Sequence, residues 1–423
     1  MFTNVLQVVF NLADIAVVGQ FAGSGALGSV GSTTTLVTLF TGLLIGLSGG
    51  TNVLVALATG EKNAKRTNDI IHTAAVISMI AGILVAVLCI IFARPMLVAM
   101  NTKPELLDGA VLYFRVYFLG MPALAMYNYG NAVLGAIGDT KHPLYYLCFA
   151  GIINVVLNLV FVIGCGMDVA GVAMASAVAQ YVSAGLIMWN LLHTKGDYRL
   201  NVRELKIVPA VTGNLLRIGI PSAIQYAMFQ VANVFVQIGV NSFDSITVAG
   251  TAAAANADGI IYEMMAAFYT AGASFIGQNF GAGKKERVRK SFLISTLYAF
   301  TLALILGVAL VFFGRSFLAI FTPDAAVVEA GMYRLKIMGF SYCVSALMDG
   351  AIAASRGLGQ TAVPMVIVIM GSCVFRLIWV YTVFAFWGTI TSLYLLYIFS
   401  WTITGVAETW YFVQLYRKIF VKK

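Results

Sequence analysis

The sequence is short of charge. Of its 423 residues only 10% are Asp, Glu, Lys or Arg, against roughly 25% in an ordinary soluble domain. Hydrophobic residues make up 60%, and the mean hydropathy is +0.91. That balance excludes a water-soluble protein. Histidine is scarcer still. His72, His142 and His193 show no HExxH spacing, so a zinc hydrolase centre or a histidine-based triad has no foothold. The cysteines Cys89, Cys148, Cys165, Cys343 and Cys373 all fall in apolar stretches without a CxxC pair, so they read as small core residues rather than metal ligands or redox thiols. A phosphate loop is missing too. The glycine-rich run Gly46 to Gly50 carries no GxxxxGK[ST], and its small residues suit close helix packing. No enzyme activity, cofactor or resident metal is expected.

What the chain has is length without interruption. A membrane-crossing helix needs about 20 apolar residues, and apolar segments fall at 1–18, 30–57, 68–93, 109–134, 142–165, 168–193, 213–241, 248–278, 289–313, 326–357, 361–386 and 389–416. Unbroken stretches such as Ile77 to Phe92 lack the alternation of a transmembrane barrel. The fold class is therefore an all-α polytopic membrane protein with twelve transmembrane helices. The first segment starts at Met1 inside an apolar run, without the charged region and cleavage site of a signal peptide. The natural first helix is expected to have lost its beginning.

The formal net charge of +9 is a topology signal. Assigning loops alternately to the two sides puts nineteen Lys and Arg on one side and only Arg94, Lys103 and Arg315 on the other, with Arg115, Arg334, Lys336 and Arg376 inside segments. Positive residues collect on cytoplasmic loops, so the rich side is cytoplasmic and both termini lie there. Nucleic acid is not an expected partner.

The halves repeat each other. Gly49, Gly60 and Arg66 align with Gly272, Gly283 and Arg289 at an offset of 223. LYFRVYFLG ending at Gly120 aligns with GMYRLKIMG ending at Gly339, pairing Arg115 with Arg334 at 219. GDTKHP from Gly138 aligns with GQTAVP from Gly359 at 221. Six helices separate equivalents, so the repeat is parallel and the two six-helix bundles are related by an axis along the membrane normal. The expected domains are an N-lobe at 1–193, a polar cytoplasmic linker at 194–212 and a C-lobe at 213–423, a pair able to rock around a central cleft.

Several segments taken in order resemble one family: LQVVFNLADIAVVGQFAG from Leu6, GLSGGTNVLVA from Gly46, VYFLGMPALAMYN from Val116, GAIGDTKHPLY from Gly135, VAGVAMASAVAQ from Val169, GQNFGAGKKERV from Gly277 and LMDGAIAASRGLG from Leu347. They resemble the multidrug and toxic compound extrusion (MATE) transporters, the multi-antimicrobial extrusion proteins, over essentially the whole chain. The resemblance implies two bundles in a V shape that export amphipathic, usually cationic compounds in exchange for H+ or Na+. It also implies that about 20 residues of the first helix are absent, including a proline-bearing turn like Ile220-Pro221-Ser222.

An ionisable group inside a membrane segment costs several kcal/mol unless paired or hydrated, so each is a functional candidate. Asp14 lies in the first segment with Asn11 one helical turn away, and Asn154 and Asn158 share a face of the fifth. A carboxylate among amides can hold a proton or Na+, because the amide oxygens are neutral ligands and the acid carries the charge. The other reading of these groups is interhelical packing. The resemblance supports Asp14, Asn154 and Ser176 as matches to the family's coupling positions. Asn158 stands where many relatives carry aspartate.

In the second half, Asp258 and Asp349 are expected to attract a cationic substrate or take part in coupling, with an Asp349–Arg376 pair as the alternative. Glu263 is a weaker candidate, and the resemblance places Gln230 where relatives with a C-lobe cation site have glutamate. Arg115 and Arg334 read as snorkelling or gate residues near outer helix ends; Glu408 and Lys336 have no assigned role. A substrate cleft lined by adaptable Met and aromatic faces suits flat cations, with Met121, Tyr127, Tyr129, Tyr226, Phe229, Tyr262, Met265 and Phe268 as lining residues, core packing being the alternative. The expected protein is a monomeric multi-pass antiporter of the cytoplasmic membrane, surrounded by lipid and carrying small organic cations. A lipid-linked oligosaccharide flippase with the same two-lobed architecture is the alternative, and a receptor or channel is a third reading that the repeat argues against.

Overall fold

The structure, a computed structural model, describes residues 23–420. Among them are twelve helices: α1 (Gly23–Gly60), α2 (Ala64–Ala99), α3 (Pro104–Phe118), α4 (Met121–Ile137), α5 (Lys141–Gly164), α6 (Asp168–His193), α7 (Pro209–Val240), α8 (Ser245–Gly281), α9 (Lys285–Leu318), α10 (Ala325–Gly357), α11 (Ala362–Trp387) and α12 (Ile390–Phe420). Ten are long and apolar enough to cross a membrane alone, and α3 with α4 form an eleventh span bent by 45°. The expected segment 1–18 lies outside the described residues.

The bend follows from sequence. Pro122 sits in the first turn of α4 and has no N–H to continue the ladder, so α3 closes with short-range bonds from Leu119 N–H to Val116 O and from Gly120 N–H to Tyr117 O.

α2 shows how such helices are solvated. Ile80, Ile83, Leu84, Val87, Leu88 and Ile91 are exposed along one stripe, while Ser78, Gly82, Ala86, Cys89, Ala93 and Leu97 are buried along another. Small residues let backbones approach, and large apolar ones face lipid, which is as apolar as they are. The same logic places Gly307 against Gly339, where α9 crosses α10 so closely that a Cβ on Gly307 would collide with the Gly339 carbonyl oxygen. Cys89, Cys343 and Cys373 are core residues as expected, but Cys148 is half-buried and Cys165 is exposed, because Cys165 sits in the turn that follows α5.

Close contacts divide the described residues into two units that part between Ala223 and Ile224, within α7. In the first unit, α1, α2, α3 and α4 pack on one another and α6 packs on α3, α4 and α5. The polar stretch after α6 is stitched to the start of α2: Lys206 pairs with Asp69 at 2.5 Å, Asn201 N–H donates to His72 Nε2 at 3.0 Å, and Val208 N–H donates to Thr73 Oγ1 at 3.2 Å. In the second unit α10 is the hub, packed against α8, α9 and α12.

The repeat is real, but its register is a constant 221. Positive-φ turns follow α1 at Lys62 and α8 at Gly283, and others fall at Gly138 and Gly359. The ion pair Arg94–Asp108 (3.0 Å) has its equivalent in Arg315–Glu329 (2.8 Å), again 221 apart. Burial runs in step at the same offset: Tyr113 and Phe114 are buried where Arg334 and Leu335 are, and Arg115 is exposed where Lys336 is. Arg115 is therefore the equivalent of Lys336, not Arg334. The matches at 219 and 223 are each two residues out, because identical letters there outweighed the face each residue occupies.

Candidate functional site

In the first unit, α5 and α6 bring together three of the expected coupling residues. Asn154 and Asn158, one turn apart on α5, are joined by Asn158 Nδ2 donating to Asn154 Oδ1 at 3.3 Å. Asn154 Nδ2 in turn donates to Ser176 Oγ on α6 at 3.4 Å. All three side chains are buried. Polar groups in lipid must find partners internally, and these neutral oxygens could also serve a cation. Asp14 and Asn11 lie outside the described residues. Just beyond the amides, α5 loosens into a π-helical turn at Val160–Gly164, and α11 has a matching one at Val380–Phe384. Such turns mark places where a helix can be re-aimed.

The second unit holds two groups of charges. In one, Asp258 of α8 takes an ion pair from Arg334 of α10 on one oxygen and a hydrogen bond from the Tyr342 hydroxyl on the other. The Arg334 guanidinium also lies over the rings of Tyr394 and Tyr397, 5.5 and 5.8 Å from their centroids, and the Tyr394 hydroxyl shares a 2.7 Å hydrogen bond with Thr251. Arg334 is only 4% exposed, so it does not snorkel to an interface. Beside it, Arg376 of α11, 2% exposed, donates from Nη1 to Asn233 Oδ1 at 3.0 Å and from Nε to Ser400 Oγ at 3.3 Å. It stacks on Tyr397 at 4.7 Å and Trp401 at 5.9 Å. The alternative Asp349–Arg376 pair does not form.

Asp349 belongs to the other group. Its Oδ2 accepts a hydrogen bond from Ser345 Oγ at 3.1 Å, and its electrostatic neighbours include Arg356 and Glu408.

The expected cleft residues separate by burial. Met121 is fully buried in the α2–α3–α4 core, Tyr127 donates its hydroxyl to the Pro143 carbonyl at 3.2 Å, and Tyr129 donates to the Ile71 carbonyl at 3.0 Å. These three serve packing. Met265 is likewise fully buried, with Phe268 packed at the edge of its cluster. Tyr262 is 44% exposed. Tyr226 and Gln230 lie one turn apart on α7, with Glu263 of α8 close by. Phe229 packs against Met348, Ile352 and Val368.

A family model for MatE matches residues 1–160 and 221–382. The chain belongs to the MatE family. This MATE protein is a multi-pass membrane transporter and not an enzyme. It is 24% identical to the probable multidrug resistance protein NorM of Thermotoga maritima over 383 residues, covering 87% of this chain and 80% of that one. It is 23% identical to an FAD transporter of Shewanella oneidensis, covering 79% and 74%. Its fold matches a solved outward-facing multidrug resistance MATE transporter with a TM-score of 0.92 at 19% identity, over 100% of this chain and 95% of that one.

Sequence reasoning on this MATE protein missed Arg334 as a partner of Asp258, and it left Glu408 without a role. The signal for the first was present. Arg334 and Tyr342 lie eight residues apart, about two turns, and so share a face of α10. The faulty equivalence with Arg115 concealed it.

Proposed function

We propose that this MATE-family multidrug efflux transporter exports amphipathic organic cations across the cytoplasmic membrane in exchange for H+ or Na+, with both termini cytoplasmic. The repeat's two halves, 1–193 and 213–423, act as the moving parts around the linker 194–212. The observation that carries the reading is the buried Asn154–Asn158–Ser176 group, a set of neutral oxygens of the kind that complete the ligand shell of an ion held by a carboxylate such as Asp14. Loading the ion there favours release of substrate outside. Asp258 is held by Arg334, which leaves Asp349 as the C-lobe acid for a cationic substrate. The half-exposed Tyr262, with Tyr226, Phe229 and Gln230 of α7, supplies aromatic and polar contact.

The test is ethidium efflux from proteoliposomes holding the protein, under a pH gradient, a Na+ gradient or neither. Gradient-driven efflux names the ion, and Asp14→Asn then abolishes it. Efflux that proceeds normally in Asp14→Asn overturns the coupling assignment. Folded protein that transports nothing under any gradient points to lipid flipping instead.

A further inference from the structure

Glu408 of α12 is completely buried, and among the described residues neither of its carboxylate oxygens has a hydrogen-bond partner. A carboxylate ionised in that position would be buried without a hydrogen bond to either oxygen, so the group is held neutral by a proton or balanced by a cation. The surroundings supply one base for two acids. Asp349 and Arg356, both on α10, are its charged neighbours, and α10 is the helix most extensively packed on α12. Tyr262 of α8 stands beside Asp349 and Arg356, and Tyr411 on α12 stands beside Glu408. On α11, Arg376 is already occupied by Asn233 and Ser400.

The two acids are solvated unequally. Asp349 receives a hydroxyl hydrogen bond from Ser345, whereas Glu408 receives none. Arg356 has a buried Nε–H without an acceptor, so it retains donor capacity for a second carboxylate. Ser400, Thr404 and Glu408 follow one another at single-turn spacing on the same buried face, and Thr404 shares a 2.9 Å hydrogen bond with Ser372 of α11. Arg376, Ser400 and Thr404 thus form a polar line that ends one turn from Glu408. Buried ionisable groups of this kind in membrane bundles mark proton paths.

We infer that Glu408 is a proton-carrying group of the transport cycle. With its proton on, Arg356 is left to Asp349 alone. When the O–H bond breaks and the proton passes to water, the new carboxylate takes the Arg356 guanidinium and frees Asp349 for a cation. One positive charge leaves the cluster as one arrives, which is the local condition for exchange. The use of this proton in transport rests on the antiport reading above; its residence on Glu408 does not.

The experiment is infrared difference spectroscopy of the full chain in lipid nanodiscs as the pH is raised from about 5 to about 9, on wild type, Glu408→Gln and Glu408→Asp, with ethidium efflux against pH measured in parallel. The wild type is expected to lose a protonated-carboxyl band that Glu408→Gln lacks and that Glu408→Asp keeps at a shifted midpoint. Glu408→Gln is also expected to flatten the pH dependence of efflux. A carboxyl titration identical in Glu408→Gln, or an efflux profile superimposable on wild type, overturns the inference. Should Glu408→Gln not fold, an unshifted midpoint in Glu408→Asp does the same. Gradient-driven efflux with no Glu408 band sinks this inference alone. Efflux indifferent to every gradient, with the band present, overturns the antiport reading and with it the role of this proton in exchange.

Discussion

Arg334 and Asp258 form an ion pair that joins α10 to α8, with Tyr342 donating to the second carboxylate oxygen. The guanidinium is nearly inaccessible, its side chain 5% exposed against 29% for Asp258. Removing one partner strands the other in a low-dielectric interior, whereas removing both leaves two neutral groups. Asp258→Ala is therefore expected to cost about 2–4 kcal/mol, discounted for the partial exposure of the acid. The double variant Asp258→Asn/Arg334→Gln should recover much of it. Thermal unfolding of the wild type, Asp258→Asn, Arg334→Gln and the double variant in detergent measures the coupling, and additive losses would refute it.

Arg376 uses its planar head in two ways, bonding Asn233 and Ser400 while stacking on Tyr397 and Trp401. Lysine keeps the charge but loses the fork and the stack. Arg376→Lys should destabilise by about 1–2 kcal/mol and shift tryptophan emission, since Trp401 loses the planar guanidinium over its ring. An unchanged emission spectrum and melting temperature would count against this account.

The α9–α10 crossing at Gly307 and Gly339 admits no side chain. Gly307→Ala pushes a methyl into a backbone carbonyl and should cost about 1–3 kcal/mol despite alanine's better helix propensity. Gly259→Ala, where a Cβ meets nothing within 4 Å, should be neutral or stabilising. Melting temperatures of the two variants give the comparison directly.

If the Asn154–Asn158–Ser176 group serves an ion rather than packing alone, Asn154→Ala should lower gradient-driven ethidium efflux by about tenfold or more, equivalent to about 1.4 kcal/mol, while leaving the melting temperature within a few degrees. A large loss of stability with normal efflux per folded molecule would assign the group to packing.

Asp244 caps α8 by accepting Thr247 N–H at 2.9 Å and Thr247 Oγ–H at 3.0 Å. These hydrogen bonds hold its carboxyl below the usual carboxylate range. A lowered folded value means the cap is at full strength above the unfolded pKa and is lost as pH falls through the folded one. Amide exchange at Thr247, corrected for its intrinsic pH dependence, should therefore accelerate only at the acidic end. In Asp244→Asn the cap should persist without that dependence, because the amide oxygen accepts at any pH.

Much was legible in the chain because lipid is a demanding solvent. Scarce charge, twelve apolar stretches and a basic bias on one side leave little besides a helical bundle, and spacing alone put Asn154 beside Asn158. Segment limits such as 168–193 were recoverable because caps and turns are written locally; Gly138 and Gly359 adopt left-handed turns that other residues resist. What only the tertiary structure decided is which charge meets which. Arg334 pairs with Asp258, Arg376 turns to Asn233, and Glu408 is left with Asp349 and Arg356. Pairing depends on the rotation of each helix about its axis. A two-residue error in aligning the repeat rotates a face by about 200°, enough to carry Arg334 from a lipid-facing edge to the buried centre of its bundle.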